Sequence, residues 1–115
     1  MIEKIILDYL TTALSPVPVY METPEAVPIK YVLLEKTAGG EADTIETATL
    51  AIQSIDTTLF KAAQLNTAVK SAMRLAPAAC PEVFRAKLNS DYNFTDTKTK
   101  QYRYQAVYNL SYKED

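Results

Sequence analysis

The chain has 115 residues, of which 48% are apolar and 23% charged, with a formal net charge of -2. That length and balance describe one globular domain, residues 1–115, large enough to bury its own core, and they exclude a disordered chain. The acidic balance, with arginine only at Arg74, Arg85 and Arg103, lacks the basic footprint of a protein whose main partner is free nucleic acid.

Histidine is absent, so a Ser-His-Asp or Cys-His arrangement, a zinc-protease helix and a His-bearing zinc site are all excluded within this chain. Cys80 is the sole cysteine, which rules out an internal disulfide and reads as a small buried or loop thiol. No apolar run approaches the roughly 18 residues of a membrane helix. The start MIEKIILDYL carries acidic residues within its apolar stretch, unlike a secretory signal, and the expectation is a cytosolic protein with no membrane partner.

Ile2, Ile5, Ile6, Tyr9, Leu10 and Ala13 recur at helical spacing, and the Ser15-Pro16-Val17-Pro18 segment ends that helix. Val17 to Glu22 reads as a short edge strand closed by Thr23-Pro24, and Ile29 to Lys36 as a firmer, largely apolar strand. Thr37 to Thr44 holds the only two glycines, Gly39 and Gly40, with Glu41 and Asp43, and reads as a flexible loop; their spacing is not that of a phosphate cradle. Ile45 to Ile55 alternates as a third strand. Asp56-Thr57-Thr58 then offers side-chain acceptors for a helix start, followed by a helical stripe of Leu59, Ala62, Ala63, Asn66, Val69, Ala72 and Met73 that runs to about Leu75.

Pro77 and Pro81 bracket a break before a fourth strand, Val83 to Phe94, with Phe84, Ala86, Leu88, Tyr92 and Phe94 expected on one face. The polar run from Thr95 to Thr99 reads as a hairpin connection. In the last strand, between Lys100 and Lys113, Tyr102, Tyr104, Tyr108 and Tyr112 alternate with Arg103, Gln105, Val107, Asn109 and Ser111. Tyr92 and Phe94 are expected to meet those tyrosines across the hairpin, and Lys113 to Asp115 to fray. The order αβββαββ predicts an α+β domain: an antiparallel sheet of about five strands with two helices packed on one face.

No pair of carboxylates is spaced for general acid/base work, and the acidic residues around the glycine stretch read as solvated, so neither catalysis nor a metal or other cofactor is expected. An aromatic sheet face can stack single-stranded bases, but such platforms accompany a positive groove, and the tyrosine stripe reads instead as core and rim packing.

The stretches VPVYMETPEAVPIKYVLLEKTAGG, ATLAIQSIDTTLFKAAQLNTAVKSAM and NFTDTKTKQYRYQAVYNLSY, which span almost the whole chain, resemble the tail terminator or tail completion proteins of long-tailed bacteriophages and prophages. The resemblance implies a virion structural protein: a small α+β subunit that forms a hexameric ring on a finished tail tube, stops polymerisation and joins the head connector. The implied partners are other copies of the chain, the major tail tube protein and a connector or stopper protein, with DNA only passing through the ring. The implied location is the bacterial cytoplasm during assembly and then the head–tail junction of the virion. Gly39, Gly40, Glu41 and Asp43 are the candidates for a loop facing the tube or pore, mobile until it orders on the ring or tube. Arg103, Gln105 and Asn109 are the candidates for subunit contact. The alternatives are another head-to-tail joining component of the stopper kind and a small ligand-binding α+β domain; a nucleic-acid binder ranks behind both.

Overall fold

Ile2, Ile6 and Leu10 place one apolar stripe along the first helix, α1 (Ile2–Ala13), and all three are buried. The computed structural model describes residues 1–114 and continues through β1 (Val19–Tyr20), β2 (Tyr31–Ala42), β3 (Ile45–Asp56), α2 (Leu59–Arg74), a single turn α3 (Ala76–Ala79), β4 (Val83–Asn93) and β5 (Tyr102–Tyr112). Asp115, where fraying is expected, lies outside the described residues. The amide of Lys113 is tied, donating to the Glu82 carbonyl at 2.9 Å.

The five strands form one sheet in the order β1-β2-β3-β5-β4, antiparallel except for the short β1, which runs parallel to β2 at the edge. The fold is the expected α+β arrangement. Its core lies between the helices and one sheet face, where Val32 and Leu34 of β2, Leu50 and Ile52 of β3, and Ala106, Tyr108 and Leu110 of β5 meet Ile6, Leu10, Val69 and Met73. Cross-strand partners keep this side continuous: Leu34, Ile52 and Ala106 form one row, Leu50 and Tyr108 the next. The tyrosine stripe belongs to this side, with Tyr108 and Tyr112 buried and Tyr102 and Tyr104 half-buried.

Thr58 caps α2 by accepting from the Lys61 amide at 3.1 Å. The buried stripe of α2 is Ala62, Leu65, Asn66, Val69, Ala72 and Met73; Leu59, expected on it, stands exposed in the first turn. The small side chains of Ala62 and Ala72 let the helix lie close to the sheet, and the Tyr9 hydroxyl joins the helices by donating to the Ala72 carbonyl at 2.7 Å.

Two expectations are corrected. The glycine stretch is not a flexible loop: β2 continues through it to Ala42, pairing Gly39 with Ala48, Gly40 with Thr47 and Glu41 with Glu46, and only Asp43 and Thr44 turn the chain. Both turn residues have positive φ, 52° and 70°, the handedness a two-residue hairpin needs to match the twist of its strands. Tyr92 and Phe94 do not join the tyrosine stripe. The pairing of β4 with β5 shifts between Val83 and Arg85 and again between Leu88 and Ser90, and each extra residue reverses the facing of the side chains beyond it. Ala86 and Leu88 therefore lie with the helices, whereas Tyr92 pairs with Gln105 on the opposite face, bare of helices although Tyr31, Ala51 and Ile55 are buried on it.

Candidate functional site

The bare sheet face and the two sheet edges carry every residue singled out from the sequence. Arg103, Gln105 and Asn109 point to the bare face from β5, flanked on both sides by β3 and β4. That central position engages their backbones in the sheet and draws their side chains into a network. Gln53 donates to the Gln105 side-chain oxygen at 3.1 Å, Gln105 donates to the Tyr92 hydroxyl, and Arg103 donates to the Gln53 side-chain oxygen at 3.1 Å. The Arg103 guanidinium also stands 5.5 Å from the centre of the Phe94 ring, within cation–π range, and 3.9 Å from the Asp96 carboxylate. Gln105 is buried. Asn109 is exposed and accepts from the Thr49 hydroxyl at 3.1 Å.

Gly39, Gly40, Glu41 and Asp43 sit on the distal arm of the β2–β3 hairpin, all exposed. Gly39 and Asn109 are brought to one shallow hollow at the base of the arm, with Ala38, Thr47, Thr49 and Ser111. The other candidates remain apart, Arg103 and Gln105 in the network and Glu41 and Asp43 toward the hairpin tip.

The edges differ in chemistry. Beside β2, β1 covers only Val32 and Leu33, so on that side the backbone from Leu34 to Ala42 has no neighbouring strand among the described residues. This arm carries Glu35, Glu41, Asp43 and Glu46 against the single cation Lys36. Glu41 and Glu46 stand directly opposite in the ladder, a like-charge pairing that costs stability, and neither forms an ion pair among the described residues. At the other edge, β4 presents Arg85 and Lys87 on the bare face, both exposed and outside any ion pair among the described residues. Phe84 is 53% and Leu88 40% exposed on the same strand. Its one carboxylate, Asp91, turns to α2, accepting from the Asn66 amide at 2.7 Å and the Lys70 ammonium at 2.5 Å.

Sequence reasoning missed β4 as a surface. The run Asn89-Ser90-Asp91 interrupts the alternation there, and it is the one local trace of the second register shift.

Among the described residues, no three His, Cys, Asp or Glu side chains gather as a metal site, and no helix is long and apolar enough to cross a membrane. Burial raises the Cys80 thiol pKa, with Glu82 adding to it, which keeps the sulfur protonated and a poor nucleophile. Asp96 is held below the usual carboxylate range by the Lys98 amide and by the hydroxyl and amide of Thr99. These bonds order the β4–β5 connection and place Asp96 beside Arg103.

In comparison with known proteins, no family model matches the chain, and no curated protein matches it.

Proposed function

We propose that the protein is a structural subunit of a long-tailed phage or prophage that closes the tail tube as a hexameric ring, ends polymerisation and provides the joint to the head connector. The observation that supports this reading most is the pair of unlike open edges on one small sheet. A closed ring needs a heterologous contact, in which one patch of each subunit meets a different patch of the next. Here the distal half of β2 and the whole of β4 leave backbone groups free at opposite sides of the sheet. The role is one of assembly rather than catalysis: Gln53, Gln105 and Tyr92 are spent on one another across the bare face, and the free charges stand on the edges. The acidic hairpin arm suits a place near the tube or pore, since carboxylates repel DNA passing through the ring.

The test is polymerisation of the cognate tail tube protein with and without the purified chain, followed by negative-stain microscopy. Tubes that stop growing and carry a ring at one end bear the proposal out. Tubes that elongate equally in its presence overturn it, and binding to the connector alone assigns the chain to a neighbouring joint instead.

A further inference from the structure

The bare edge of β4 and the distal edge of β2 match in charge and direction, and the β4 edge carries exposed apolar surface at Phe84 and Leu88. We infer that these two edges of successive copies of the chain join, β4 of one subunit pairing antiparallel with β2 of the next, so that the sheet continues from subunit to subunit. The inference rests on the ring reading above and names the surface through which the ring closes.

Direction supports it first. The steps β2 to β3, β3 to β5 and β5 to β4 are each antiparallel, so β2 and β4 run in opposite senses. A neighbour generated by rotation about an axis along the strands keeps its strand directions and therefore presents β2 antiparallel to β4. Charge supports it independently. Arg85 and Lys87 lie on the bare face of one edge, and Glu35 lies on the bare face of the other, paired with Ala51 away from the helices. A register that sets Glu35 opposite Lys87 places Arg85 at the adjoining diagonal, within reach of the same carboxylate. That register also lays the β2 backbone at Leu34, whose own side chain is already in the core, along Leu88 and so shields part of an apolar side chain that is 40% exposed in the single subunit. The register shifts at Thr37, Phe84 and Asn89 bound the regular stretch, confining the joint to a short segment and blunting pairing elsewhere along the edges.

The experiment is a charge exchange read by sedimentation velocity over a range of protein concentrations, with circular dichroism confirming the fold of each variant. The wild-type chain is expected to associate at high concentration, less so as salt rises. E35K alone and R85E/K87E alone each weaken association by roughly tenfold or more, because like charges then face each other across the joint. The triple variant E35K/R85E/K87E restores it to within a few-fold of wild type, a recovery that a general charge or folding effect does not produce. A wild-type chain that stays monomeric at every concentration, or a triple variant no better than the partial ones, overturns the inference. Recovery by the triple variant while wild type leaves tube growth unchanged keeps the joint and removes the tail reading. Tube capping by R85E/K87E as efficient as by wild type does the reverse.

Discussion

Asn66, buried on α2, donates its side-chain amide to the Asp91 carboxylate on β4 at 2.7 Å, tying the helix layer to the outermost strand of the sheet. Lys70, one turn further along α2, holds the other carboxylate oxygen at 2.5 Å. Asn66→Ala is expected to lower the unfolding free energy by about 1–3 kcal/mol, because a buried bond to a charged acceptor is lost. Asn66→Asp sets a second carboxylate against the first and costs more. Urea denaturation midpoints of the two variants check the order.

The hairpin tip holds the next expected outcome. Thr44 is β-branched at φ 70°, a conformation glycine adopts without steric cost. Thr44→Gly is therefore expected to stabilise the protein by about 1 kcal/mol. Thermal unfolding of the variant reads the effect, and a lower midpoint contradicts the turn geometry.

Neither glycine of the arm has positive φ. A methyl group at Gly39 meets the Lys36 Cε at 3.0 Å, the far end of a flexible side chain that swings aside, and the Thr47 carbonyl oxygen at an ordinary 3.6 Å. Gly39→Ala is expected to change stability by less than about 0.5 kcal/mol, since relief of glycine's chain entropy offsets the displacement of Lys36. Amide hydrogen exchange of residues 38–42 in the wild-type chain gives a second check: strand-like protection is expected there.

Burial raises the phenol pKa of Tyr9, Tyr108 and Tyr112 above the ordinary value of 10.0, with Cys80 adding to the effect at Tyr9. The folded state thus favours the neutral phenol. Its contribution is fully present below the unfolded-state value and is lost as pH rises through the higher folded-state values. Stability is expected to hold to about pH 9 and to fall above about pH 10, with tyrosinate absorbance rising as the fold is lost. Tyr9→Phe removes the bond to Ala72 at a cost of about 1 kcal/mol near neutrality and makes the alkaline decline shallower.

The helices were legible because their signals are local. Ile2, Ile6 and Leu10 keep the helical period, Pro16 stops the first helix, and Thr58 caps the second with its own hydroxyl. The alternation in β5 was equally plain, and it correctly placed the tyrosines on one side and Arg103, Gln105 and Asn109 on the other. The glycine stretch misled because two adjacent glycines are as compatible with an extended strand as with a loop, and the pairing with Ala48 and Thr47 decides between them. Tyr92 and Phe94 misled for another reason: a period-two reading carries its phase forward, and the register shift past Leu88 reverses it.

Residue periodicity and caps were enough to determine the α+β class, the order of the elements and the face that each long helix and the last strand turn to the core. Each of these arises from interactions between residues a few positions apart. Apart from the β4–β5 hairpin, strand neighbours were left to the tertiary structure, which inserts β5 between β3 and β4 and so buries Gln105 in a network while leaving β4 and, beyond the short β1, the distal part of β2 as open edges. Alternation along a strand encodes which side of a sheet a residue occupies. Which strand lies beside it depends on closing long loops and on the packing of the whole core, and those energies belong to no single segment.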